Sequence, residues 1–304
     1  MKKIIHIISI CIFTFYGCQA QIPEFNGDKA FSHLVAQCDL GPRNPGSDGH
    51  KKALDYFLDV LSPLADTVFT QPFEDTMPRT GIKVNMHNVI AQFNPTAKKQ
   101  IMISAHWDTR PWGDRGASIM GKNQPILGAN DGASGVAVIL ELARILHTKP
   151  PPIGISLVLF DAEDYGTTGD SWSYCIGSQY FAKNIPISYP AYAINLDMVG
   201  DKNLEFYIER YSYQQNTALV LELWDLAASL KLPAFKKQAK YMIFDDHVPL
   251  YEIAGIPAVD IIDFDYPNDQ TNYHHTHNDV VANCSPHSLW QVGTLMVNHI
   301  YAKK

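Results

Sequence analysis

The sequence predicts a single α/β domain, built on a mostly parallel, twisted central sheet with helices on both faces. Three observations carry that expectation. Four short runs, QIMISA (100–105), GISLVLF (154–160), AYAINL (191–196) and PAVDII (257–262), are largely apolar, as strands covered on both faces must be. Patterns of helical period separate most of them, and strands that alternate with helices pair in parallel through crossovers. The chain has 304 residues and 46% hydrophobic content, enough for one large core and near the upper size of one α/β domain. No internal repeat, low-complexity tract or linker divides it.

Taken in order, Met1-Lys2-Lys3 and the apolar run Ile4 to Tyr16 read as a signal peptide over 1–17, too short to span a membrane. The protein is therefore expected to be exported, to the periplasm or cell envelope. FYGC is a poor lipoprotein box that would make Cys18 a lipid-anchored mature N-terminus; cleavage after Ala20 would leave no anchor. The first route is preferred. The folded domain is expected over 24–304. It opens with two helices, DKAFSHLVAQCDL and SDGHKKALDYFLDVL, each behind an Asp or Ser cap and joined by the turn-rich GPRNPGS. Val68–Phe73 and Val84–Phe93 have strand character. Further helices are expected over Ala133–His147, Asn216–Leu230 and His247–Ala254, and KPPPIG (149–154) stops one helix before the next strand. Cys38, Cys175 and Cys284 form an odd set without framework spacing, so at least one thiol should be free.

The net charge is −7, and no Lys/Arg run stands near aromatics as a nucleic-acid groove would need, so nucleic acid is excluded as a partner. No G-x-S-x-G elbow appears, Ser171 and Ser173 lie in a loop, and no Gly-rich phosphate loop is present. In open α/β sheets ligands bind beyond the carboxyl ends of the strands. Those ends are rich in metal ligands here. ISA leads to His106-Trp107-Asp108, VLF to Asp161-Ala162-Glu163-Asp164, INL to Asp197, and PAV to Asp260. Asp131 in NDGASG opens a helix, FDDHVP adds Asp245, Asp246 and His247, and HHTHND adds His274, His275 and His277. Each has an ordinary reading alone, as turn, cap or solvated loop. Together they bring acids and imidazoles to one rim, a donor set suited to catalytic Zn²⁺ with three protein ligands and an open position. Trp107, Trp112 and Trp172 fall near that rim and could wall a small organic substrate.

From GPRNPGS to HHTHND the ordered acids and histidines resemble the zinc aminopeptidase-like family M28, and within it the animal-type glutaminyl cyclases and their bacterial relatives. The resemblance implies one zinc per chain, held by Asp131, Asp164 and His275. Aminopeptidases of the family hold a second zinc through the residues matching His106 and Asp197. FDDHVP favours the cyclases, which resemble Asp-Asp-His-x-Pro where aminopeptidases usually have Ser-Asp-His. The implied reaction converts the N-terminal glutamine of peptides or proteins to pyroglutamate and releases ammonia; the alternative is a two-zinc aminopeptidase. Glu163 would move the proton, and Asp245 would hydrogen-bond Asp197, one of the pair being protonated. His106, Asp108, Trp172, Asp260 and His274 would form the pocket and its support. Asp161 is expected to hold loop backbone. The chain departs from the animal enzymes at Asp164, where they have Glu, at Asp260, where they have His, at His274, where they have a substrate-flanking Trp, and at Ala105 and Val136, where they have a cysteine pair.

Overall fold

The computed structural model describes residues 22–77, 80–115 and 123–303. The expected signal peptide and Cys18 lie outside the described residues. The described residues open with α1 (Gly27–Asp39) and α2 (Asp48–Leu61), which run into β1 (Thr67–Thr76), β2 (Lys83–Phe93) and β3 (Gln100–His106). Then follow α3 (Ala133–Thr148), β4 (Gly154–Phe160), α4 (Ile176–Lys183), β5 (Ala193–Asp197) and β6 (Phe206–Ile208). The last elements are α5 (Arg210–Ser229), β7 (Phe235–Ala239), α6 (His247–Ala254), β8 (Ala258–Ile262) and α7 (Pro286–Ala302).

The main sheet has the order β1-β2-β4-β3-β5-β8. The four apolar runs became β3, β4, β5 and β8, which pair in parallel, whereas β1 and β2 pair antiparallel at one edge. One face packs on α1, α2, α3, α5 and α7 through residues such as Ile101, Ile103, Leu157 and Ile194, which belong to one buried cluster with Leu34, Phe57, Val136, Leu223 and Leu295. The other is closed by Phe181 of α4 and Leu250 of α6 over Met102, Val158 and Ala258. With both faces covered, the strands carry no solvent-facing side, which is why they read as continuous apolar runs.

Local chemistry sets the helix starts. Asn26, rather than the Asp at 28, caps α1 by accepting the N–H of Lys29 at 2.9 Å, and Ser47 caps α2 at His50 N, 3.1 Å away. α5 begins six residues before the expected Asn216 because Glu209 accepts the N–H groups of Tyr211 and Ser212. Asn216 itself leaves helical geometry at φ −150°, and its side chain accepts Leu219 N at 3.1 Å, recapping the helix after the kink. Two helices, α4 and α7, go beyond those read from the sequence. α3 lies against β5 so closely that a β-carbon on Gly135 would sit 2.1 Å from the carbonyl oxygen of Leu196. The described cysteines, Cys38, Cys175 and Cys284, are all buried free thiols. Among the described residues no helix is long and apolar enough to cross a membrane.

Candidate metal and catalytic site

The carboxyl ends of β3, β4, β5 and β8 converge on a cavity of about 380 Å³. Its acids and imidazoles are Asp131, Glu163, Asp164, Asp197, Asp245, His274 and His275, brought there from five separate chain segments.

Asp108 organises the floor. Its carboxylate accepts the backbone N–H of Glu163 at 2.9 Å and of Asp164 at 3.2 Å, so the end of β3 clamps the loop that follows β4. Ala162, just before that loop's acids, takes a left-handed φ of 57° and turns the chain toward the cavity. Arg110 holds the same loop from outside, donating to the carbonyls of Asp164 and Gly166, each at 2.8 Å. His106 is buried between acids, with Nε2 3.0 Å from Asp197 Oδ1 and 3.2 Å from Asp131 Oδ1, and Nδ1 3.4 Å from Asp108. Burial works against its charge, but Asp197, Asp108 and Asp131 together hold it well above the usual imidazole range.

Asp131 is presented by the tight turn ahead of α3. Gly132 there has φ 116°, and a β-carbon on it would meet the Asp108 carbonyl and the His106 ring within 3 Å. The carboxylate of Asp279 accepts the N–H groups of Asn130 and Asp131 at 2.7 and 3.1 Å, fixing the turn. Asp164 Oδ1 lies 2.6 Å from His275 Nε2, and His275 Nε2 lies 3.7 Å from Asp131 Oδ2. Burial and the neighbouring Asp164 push Asp131 up to about 8. Burial would lower His275, yet Asp164 and Asp114 raise it to about 9. Asp131 Oδ2 and Asp164 Oδ2 are both buried without a hydrogen-bond partner among the described residues. Orphaned carboxylate oxygens are costly to bury and call for a cation. Two carboxylates and an imidazole whose donor atoms lie within 4.8 Å of one another fit zinc.

His274 shares that cluster, its ring 3.7 Å from that of His275. Its Nδ1, however, lies 2.7 Å from Arg115 Nη1, a group that can only donate. A neutral His274 therefore carries its proton on Nε2, which faces Asp131 Oδ2 at 3.6 Å as a donor and not as a ligand.

The rest of the wall carries the remaining acids. Glu163 Oε1 accepts the Cys175 thiol at 3.3 Å, and burial with Asp164 pushes this carboxyl well above its usual range while His106 opposes. Asp245 is held by Asn195 Nδ2 at 2.8 Å and by the N–H of Asp246 at 2.5 Å; burial and the charge of Asp197 raise it to about 6. Asp260 lies behind this wall on β8, fully buried and outside the cavity lining. His277 is exposed and outside the cavity lining. Asp161 accepts His50 Nε2 at 2.9 Å and the backbone N–H of His87 at 2.7 Å, so the backbone it holds is that of β2.

The tryptophans differ from expectation. Trp107 alternates away from His106 and Asp108 and is buried, stacked on His50 and edge-on to Phe57. Trp112 is buried with its Nε1 on Asp114. Trp172, 48% exposed, stands outside the lining and reaches the cavity only through an edge contact with Phe244. The apolar wall is instead Met242, Ile243, Phe244, Ile262 and Phe264. Sequence reasoning also passed over Asp279, Arg110, Asn195 and Arg43. Arg43, inside the expected turn GPRNPGS, is buried and donates to the carbonyls of Trp107, Leu127 and Gly128.

Known proteins share this fold. The structure superposes on a glutaminyl cyclase of Tannerella forsythia with a TM-score of 0.89 at 35% identity, covering 93% of this chain and all of that one. A Zn-dependent exopeptidase of Parabacteroides distasonis matches with the same TM-score, identity and coverage. An aminopeptidase of Bacillus subtilis is 27% identical over 99% of this chain, which spans 62% of that protein's length. The family model Peptidase family M28 matches residues 88–300. On these grounds the chain belongs to peptidase family M28.

Proposed function

We propose that this chain is a zinc-dependent glutaminyl-peptide cyclotransferase, which closes the N-terminal glutamine of peptides or proteins into pyroglutamate and releases ammonia. The observation that carries the reading is Asp245. It adds a third carboxyl to those of Glu163 and Asp197 in the cavity lining, close enough to Glu163 for the two to form one buried group with Cys175. Held by Asp131, Asp164 and His275, zinc would act as a Lewis acid on the substrate's γ-amide oxygen. The substrate's own α-amine is the nucleophile, so the protein's task is orientation and proton transfer. As the amine nitrogen bonds to the amide carbon, Glu163 takes the amine proton and delivers it to the departing nitrogen, which leaves as ammonia. Asp245 and Asp197, sharing a proton, hold the amine beside Glu163. Phe244, Phe264 and Ile243 flank the glutamine side chain and keep water away.

A two-zinc aminopeptidase is the second reading, favoured by the meeting of His106, Asp131 and Asp197, a further buried donor set. Incubation with Gln-β-naphthylamide and Leu-p-nitroanilide separates the two. Cyclisation of the first and one zinc per chain are expected; hydrolysis of the second with two zinc ions would move the assignment to aminopeptidase.

The proposal extends to location: residues 1–17 direct export, Cys18 carries a lipid, and 24–304 form the catalytic domain. The charged and apolar composition of residues 1–16 supports it. Radiolabelled palmitate should enter the wild type and not a Cys18→Ala variant; equal labelling removes the anchor.

A further inference from the structure

Behind Asp245 runs a chain of buried polar side chains that the proposed chemistry leaves unused. Ser104, Asn195 and Asp260 stand in register on β3, β5 and β8. Ser104 Oγ donates to Asn195 Oδ1 at 2.8 Å, which orients the amide. Asn195 Nδ2 then donates to Asp245 Oδ2 at 2.8 Å and to Asp260 Oδ1 at 3.3 Å. On the far side, Glu209 accepts the N–H groups of Tyr211, Ser212 and Ile243, the Ser212 hydroxyl, and His247 Nε2 at 3.2 Å. Although burial opposes it, the hydrogen bond from His247 and those from Ser212 and Tyr211 hold Glu209 below its ordinary value, so it is an ionised carboxylate that can only accept. His247 Nε2 must therefore donate, which leaves Nδ1 of the neutral ring an acceptor. That atom faces Asp260 Oδ2 at 3.8 Å, and both are buried without a hydrogen-bond partner among the described residues. Two facing acceptors in a dry place repel unless a proton stands between them.

We propose that Asp260 works as a neutral carboxylic acid with its hydroxyl directed at His247 Nδ1, and that the chain Glu209, His247, Asp260 and Asn195 is a positioning unit for Asp245. The titratable groups facing Asp260 are Asp197 from β5, Glu209 from the start of α5, and Asp245 with His247 from α6 and the turn before it. Burial, with the charges of Asp245, Asp197 and Glu209, pushes Asp260 well above the carboxylate range, in keeping with the neutral form. An ion pair with His247 would instead place two charges where no water reaches them. Neutral Asp260 has a consequence for Asp245. Facing no second anion across Asn195, Asp245 keeps a pKa near 6 and can release and regain its proton.

The inference rests on Asp245 being the proton-handling carboxyl of the cyclisation. Full-length, zinc-loaded Asp260→Asn and Asp260→Ala test it. The Asn amide donates to His247 Nδ1 and still accepts from Asn195, so it should keep kcat within a factor of a few and leave the acidic limb of the pH profile in place. The Ala variant should lose roughly tenfold to a hundredfold in kcat with KM little changed, as for a lost supporting hydrogen bond. Infrared difference spectra of wild type against Asp260→Asn should show the C=O stretch of a protonated carboxylic acid, without any turnover. An Asn variant as poor as Ala, an acidic limb moved downward in Asn, an Ala variant as active as wild type, or absence of that band would each overturn the proposal. Should Ala fail to fold, Asn and the infrared band decide. If wild type does not cyclise glutamine, the proposed function fails while the band still reports the state of Asp260.

Discussion

Glu163 and Asp164 are adjacent in the chain yet have different neighbours, and that separates their tasks. Asp164 meets His275 at 2.6 Å, whereas Glu163 turns to Cys175 and the wall that carries Asp245. Glu163→Gln keeps the shape and cannot accept a proton, so zinc content should hold while kcat falls at least the roughly 10²-fold typical of a general base. Asp164→Ala should instead lose zinc, with partial rescue by excess metal. Zinc content and turnover measured on both variants check this; metal loss in Glu163→Gln would reverse the two roles. Asp245→Ser is expected to cripple cyclisation while circular dichroism stays native, because Asp197 loses the proton-sharing partner proposed for it; unchanged turnover on a Gln-peptide would remove Asp245 from the chemistry. The residues legible in the sequence were those at strand ends, where chemistry in this architecture collects, and those in the short motifs NDGASG, FDDHVP and HHTHND. Asp279, Arg110 and Arg43 were not legible because they act on backbone groups of distant segments, and a bond to a carbonyl or N–H leaves no spacing to read. Trp107 could have been placed, since strand alternation sends it away from its neighbours.

At the scale of elements, β3, β4, β5 and β8 were visible as apolar runs, while α4 and α7 were hidden for identifiable reasons. α4 has eight residues behind Cys175, which has φ 57° and makes no side-chain cap, so no start signal precedes it. α7 buries Leu289, Val292, Leu295, Met296 and Val297, which together with Gly293 cover much of the helix circumference and blur the single stripe that periodicity detects. α5 shows how one cap sets an element. Glu209 falls from its ordinary value of 4.5 to about 2 in the fold. A depressed carboxyl contributes stability that is present above the unfolded value and lost as pH falls through the folded one. That contribution is on the order of 3 kcal/mol. The stability gap between wild type and Glu209→Gln, from urea melts, should be widest above pH 4.5 and shrink toward pH 2. A gap that is constant with pH would mean that charge is not what Glu209 supplies. The α3–β5 contact gives a second expectation. Gly135→Ala places a methyl against the Leu196 carbonyl and should cost about 1–3 kcal/mol of overpacking. Thermal melts measure it, and an unshifted Tm would show that α3 can move away.

For the molecule as a whole, the proposed zinc site is where remote segments are tied. Asp164 and His275 are 111 residues apart in the chain, and Asp131 comes from a third segment ahead of α3. Without a cation, Asp131 Oδ2 and Asp164 Oδ2 are buried acceptors with no hydrogen-bond partner among the described residues, and each raises the cost of ionising the other. Zinc bound to the folded chain and not to the unfolded one stabilises by mass action, about 4 kcal/mol at a thousandfold excess over Kd. For a domain of this size that corresponds to a rise in Tm on the order of 10 °C. Chelation by EDTA should therefore lower Tm, and added zinc should restore it. Glu163→Gln should respond like wild type, since its carboxyl is not in the ligand set. Asp164→Ala should begin near the chelated wild-type value and change little with EDTA. This pattern separates a structural tie from a merely bound ion, because only the variant that breaks the ligand set loses the response. A wild-type Tm that stays fixed while elemental analysis shows the zinc gone would mean that the acids protonate and the three segments hold together through Asp108, Asp279 and Arg110 alone.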